Sequence, residues 1–110
     1  MSEASALIRL FFAKIKPEFS RLSREEQADF MARDRANLDA LGMRAIAMID
    51  CRGRDEAWDY IGVEGWPSES AVKMREDFEM NELRISRYVE YKTHIGTGLS
   101  FEGYGKRVVE

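Results

Sequence analysis

The chain has 110 residues, of which 45% are apolar and 34% charged, with 17 Lys and Arg scattered among 20 Asp and Glu for a formal net charge of −3. That length allows one domain, 1–110, and one hydrophobic core. The lack of a basic stripe excludes a nucleic-acid backbone as a partner, and no apolar run nears the roughly 20 residues of a membrane span.

Leu7 to Lys16 is rich in β-branched and aromatic residues and stops at Pro17, which predicts strand 1. Ser23 followed three residues on by Glu26 is a capping-box pair and opens helix 1. Its apolar positions Phe30, Met31, Leu38 and Leu41 recur at helical steps, and Gly42 supplies the left-handed terminator. Met43 to Cys51 reads as strand 2, Arg52 to Asp55 as a turn, and Ala57 to Trp66 as strand 3. Pro67 with Ser68 or Ser70 opens helix 2, whose stripe is Ala71, Met74, Phe78 and Ile85 and which frays near Asn81. Arg87 to Ile95 is strand 4. Gly96, Gly98, Gly103 and Gly105 then mark a loose tail over 96–110, leaving a core of about 7–95.

Elements in the order β-α-β-β-α-β define an α+β, ferredoxin-like domain. Right-handed crossovers then give a four-stranded antiparallel sheet in the order 4-1-3-2, with both helices on one face. The uncovered face should be polar in a monomer, yet both side-chain phases of these strands carry bulk. One phase holds Ile8, Leu10, Phe12, Ala45, Ala47, Ile49, Ile61, Val63, Val89, Tyr91 and Ile95; the other holds Phe11, Ile46, Met48, Trp58, Tyr60, Trp66 and Tyr88. A second copy is the simplest cover, so the expected partner is the chain itself, as a homodimer closing a barrel across a two-fold axis.

The element order, the segment Val63-Glu64-Gly65-Trp66-Pro67-Ser68 leading into helix 2, and the aromatic final strand resemble the dimeric α+β barrel superfamily. Pro17-Glu18-Phe19 after strand 1 is similar to small bacterial members of the darcynin type. The resemblance covers about Leu7 to Ile95. It implies fold and dimerisation, on a chassis shared by cofactor-free oxygenases, isomerases, cyclases, haem-degrading enzymes and ligand binders. Trp66 lies where the haem-degrading branch has a pocket tryptophan, but strand 1 has no Asn and helix 2, Ser70 to Leu83, no His to match that branch.

Arg9, Arg44, Asp50, Glu64, Glu90, Lys92 and His94 are assigned to the aromatic phase, which makes that face the candidate site. His94 is the only histidine and the natural acid/base, although Glu90 on the same strand lies about 13 Å from it, too far to orient it. A catalytic reading therefore takes His94 as acid/base, Glu64 or Asp50 as its carboxylate, and Arg9 or Arg44 as the stabiliser of developing negative charge. Trp58, Tyr60, Trp66 and Tyr88 are the candidate wall for an aromatic ligand, with core packing as the alternative.

One His and one Cys, Cys51, cannot build a metal centre or an intrachain disulfide, and no cofactor is expected. Met1 to Ser5 carries an acid where a secretory leader carries basic residues, which points to the cytoplasm. Two functions follow from these expectations. One is a cofactor-free enzyme acting by proton transfer on an apolar or aromatic metabolite; the other is a non-catalytic dimer that binds a hydrophobic ligand or a protein.

Overall fold

A computed structural model of the chain describes residues 7–109, so the Met1–Ser5 segment lies outside the described residues. The elements are β1 (Leu7–Ile15), α1 (Pro17–Ser20), α2 (Arg24–Ala40), β2 (Arg44–Asp50), β3 (Tyr60–Trp66), α3 (Glu69–Phe78), β4 (Val89–Thr97) and α4 (Phe101–Val109). The sheet order is β2-β3-β1-β4, the expected 4-1-3-2 read from its other edge, and every pairing is antiparallel. No helix is long and apolar enough to cross a membrane among the described residues.

Local chemistry sets the helix ends. Ser23 Oγ accepts from the Glu26 amide at 3.1 Å while Glu26 Oε1 accepts from the Ser23 amide at 2.8 Å, a complete capping box. Gly42, at φ +83°, turns the chain from α2 into β2. Ser68, not Ser70, caps α3 by accepting from the Ala71 amide at 3.0 Å. Beyond α3 the helix widens into a π turn over Glu79–Leu83, Arg84 takes a left-handed φ of +50°, and a 3₁₀ turn over Ile85–Arg87 leads into β4.

Both long helices lie on one face of the sheet. Phe30 of α2 packs with Ala13, Leu83, Ile85 and Val89, while Leu38 packs with Trp66, Ala71 and Val72. The other face is open.

Three sequence expectations are corrected. Residues opposite one another in an antiparallel pair share a face. Arg9 pairs with Ile95 and Leu10 with His94, so Val89, Tyr91 and Ile95 lie on the helix side and Glu90, Lys92 and His94 on the open side. In β2 an irregularity between Ala45 and Ala47 puts Arg44 on the open side and Ala45 on the helix side, the reverse of the expectation, while Met48 and Asp50 keep the expected phase of Arg9 and Glu64. The tail is not loose: β4 runs on to Thr97, and Phe101–Val109 forms α4.

Candidate functional site

The open space on the helix side is created by a glycine. Gly62 of β3 stands opposite Phe11 and Met48 with no side chain, so α2 spans a gap above the β2–β3 half of the sheet. The result is a groove of about 340 Å³, lined by Phe11, Met31, Leu38, Met43 and Met48 and closed at one end by Asp34, Glu64 and Arg75. An apolar cleft with a few convergent polar groups is the usual form of a small-molecule site.

The polar end belongs to a buried ionic network. Arg9, fully buried on β1, donates from Nε to Glu64 Oε1 at 2.7 Å and from Nη2 to Glu79 Oε2 at 2.9 Å. Arg75 donates to the same Glu79 oxygen at 2.9 Å, to Asn37 Oδ1 at 3.0 Å, and to Asp34. The Trp66 indole N–H donates to Glu64 Oε1 at 2.9 Å, and the Arg9 guanidinium lies over the Phe11 and Trp66 rings at 5.3 and 5.4 Å. Burial pulls the Arg9 pKa down, but hydrogen bonds and charge from Glu79 and Glu64 outweigh it and hold the guanidinium above its ordinary value.

Among the described residues no fully buried side-chain polar atom lacks a partner. Two arginines face three carboxylates here, so the cluster carries one excess negative charge. Glu64 Oε1 is shared by Arg9 and Trp66, whereas Oε2, the atom nearest Glu64's side of the Gly62 gap, makes no hydrogen bond among the described residues. It is an acceptor presented to the groove.

The structure brings Arg9, Glu64 and Trp66 together and separates the other residues expected at the site. His94 is exposed on the open face, edge-on to Phe12 at 5.6 Å, with the sheet between it and Glu64. Asp50, at the hairpin end of β2, is exposed and pairs with Arg52 at 2.8 Å, whose hydrogen bonds lower the Asp50 pKa. Arg44, at the other end of β2, pairs across the open face with Gly65. Trp58 lies tilted against Phe12, ring centres 5.6 Å apart, beside Lys92 on the open face.

Tyr60 lies under Arg52 at 5.2 Å, and Tyr88 sits between Phe19 and Phe30, facing a wide charged cleft by the start of α2. The four aromatics therefore form no common wall. Arg75 and Glu79 were not anticipated. Their signal is that they fall three and seven residues after Val72, on the stripe that α3 buries.

No protein-family model matches the chain, and no curated protein matches it either. Solved structures do. A haem-binding protein from Thermus thermophilus superposes with a TM-score of 0.75 at 14% identity, over 97% of this chain and 45% of its own. Chlorite dismutase from Candidatus Nitrospira defluvii, crystallised with imidazole, gives 0.71 at 12% identity over 90% and 42%. The chain thus spans less than half the length of these structures, and what it shares with them is the α+β ferredoxin-like fold.

Proposed function

We propose that this protein binds one small apolar molecule carrying a hydrogen-bond donor, in the groove between α2 and the β2–β3 half of the sheet, and works as a homodimer. The observation that carries the reading is the unpaired Glu64 Oε2 at the end of an otherwise apolar groove floored by Gly62. Apolar walls supply affinity, and the anionic end selects an amine or hydroxyl over a carboxylate. The dimer is supported by the open face, where Leu10, Phe12, Ile61 and Val63 have only partial cover within one protomer.

Binding is favoured over proton-transfer catalysis because the one imidazole and the groove carboxylate lie on opposite faces of the sheet. A general acid/base pair of His94 and Glu64 has no geometry within a protomer.

Haem, the ligand of the Thermus neighbour, does not fit this groove. Iron is held by His, by Cys thiolate, by Tyr, or by Met together with His. The groove's sulfur atoms are the thioethers of Met31, Met43 and Met48, without an imidazole, and Cys51 lies outside it. Propionates would also meet the excess negative charge of Asp34, Glu64 and Glu79, since both arginines are already engaged.

The test is fluorescence titration with N-phenyl-1-naphthylamine, an apolar amine. The wild type should bind and brighten it. Gly62→Leu, whose side chain fills the gap beside Met48, should weaken binding by at least about tenfold, or ~1.4 kcal/mol. His94→Ala should leave it unchanged. Equal binding by Gly62→Leu and the wild type would overturn the groove as the site.

A further inference from the structure

The buried network does not close on itself. Arg9 spends Nε on Glu64 Oε1 and its two Nη atoms on Glu79, at 2.7, 3.4 and 2.9 Å. Arg75 spends Nε on Glu79, Nη1 on Asn37 and Nη2 on Asp34 Oδ1. Every guanidinium nitrogen therefore has an acceptor, and Glu79, reached by both arginines, is fully compensated. The shortfall lies with the other two carboxylates, because Glu64 Oε2 and Asp34 Oδ2 accept no hydrogen bond among the described residues.

Both residues line the groove, and among its lining residues Arg75 is the only cation. The Glu64 and Asp34 side chains remain 12% and 24% exposed, against 2% for Glu79 and 3% for Arg75, so the free oxygens belong to the accessible end of the network and not to its interior. No fully buried side-chain polar atom lacks a partner among the described residues, which leaves both oxygens within reach of a solute. The excess negative charge is thus displayed at one end of an apolar cleft of about 340 Å³.

A carboxylate held against apolar walls is poorly solvated, and a ligand that brings the missing positive charge gains more there than it would in water. A hydroxyl supplies one donor and leaves the charge uncompensated. A primary ammonium carries three N–H donors and no acceptor, so it has a donor for each free oxygen and neutralises the cluster. The walls allow latitude in the rest of the molecule, since Met31, Met43 and Met48 are unbranched thioethers that adapt to bodies of differing shape.

We propose that the ligand of the groove is an organic cation, a primary ammonium on an apolar body, held by charge-assisted hydrogen bonds from its nitrogen to Glu64 and Asp34. The inference rests on the groove being the binding site and adds the charge of what it binds.

Displacement of N-phenyl-1-naphthylamine, itself neutral, by 2-phenylethylamine and by 2-phenylethanol separates the two. The competitors match in shape, and at pH 7 the amine, like a lysine side chain, is protonated. With the dye's affinity measured first for each protein, the wild type should bind the amine at least about tenfold more tightly than the alcohol. Glu64→Gln keeps Oε1 for Arg9 and Trp66 but removes the charge, and should bring the two competitors to within about threefold of each other. Asp34→Asn, which keeps Oδ1 for Arg75, should narrow the gap as well and carries the test if Glu64→Gln fails to fold. Equal binding of amine and alcohol by the wild type, or a preference for the amine that both substitutions leave intact, would overturn the cation and leave the groove standing. An amine that displaces no dye would do the same, whereas a wild type that binds no dye would overturn both.

Discussion

Arg9 and Glu79 meet in the interior with Nη2 2.9 Å from Oε2 and side chains 0% and 2% exposed, tying the first strand to the π turn that ends α3. The pair is the hinge between the sheet and the groove's polar end, because Arg9 holds Glu64 on its other side and Arg75 reaches the same Glu79 oxygen.

Removing the central cation should therefore be severe. Arg9→Met keeps much of the volume but leaves Glu64 and Glu79 without their shared cation, and breaking a buried pair this way costs about 3–5 kcal/mol. Urea unfolding should show the midpoint falling by a corresponding amount. Arg52→Met, which breaks the exposed pair with Asp50, should leave the midpoint where it is.

Alkaline pH should destabilise the fold through Tyr91. Burial, helped by the negative charge of Glu79, raises the phenol above its ordinary pKa of 10.0. A raised folded-state value means that the neutral phenol's contribution is complete below about pH 10 and is lost as the pH climbs past it. Spectrophotometric titration at 295 nm should show one of the four tyrosines ionising late. Tyr91→Phe should remove that late step and blunt the loss of stability above pH 10, and retention of the late step would place it on another tyrosine.

Haemin added to the purified protein should give no stoichiometric Soret shift, because the groove offers iron neither an imidazole nor a thiolate. A saturable shift at one haem per chain, lost in Gly62→Leu, would mean that a groove methionine ligates iron after all.

Much of this was legible in the residues. The Ser23–Glu26 capping box fixed the start of α2, and the β-α-β-β-α-β order with right-handed crossovers left one sheet order, which the structure has. Arg9, Glu64 and Trp66 stood out as ionisable and aromatic groups of one phase, and they do share the helix face. What failed was parity between strands. The face that β4 presents depends on the π turn and the left-handed Arg84 before it, and neither has a sequence signature that counts residues. The irregularity at Ala45/Ala47 did the same to Arg44 and Ala45 at the start of β2. Arg75 and Glu79 went unseen because charge on a helix ordinarily marks its solvent side, and here it marks the inner one. In the tail, Gly103 and Gly105 read as breakers, yet they lie within α4, which Ser100 caps by accepting from the Gly103 amide.

The groove is tested most directly by its methionines. Met31, Met43 and Met48 line it, whereas Met74 and Met80 are exposed elsewhere, so ε-methyl NMR reports site and control in one spectrum. Titrating ¹³C-methyl-methionine protein with N-phenyl-1-naphthylamine should move the Met31, Met43 and Met48 resonances together on one saturation curve and leave Met74 and Met80 in place. Saturable binding that shifts only Met74 or Met80, or leaves all of them unmoved, would contradict a ligand site between α2 and the β2–β3 half of the sheet.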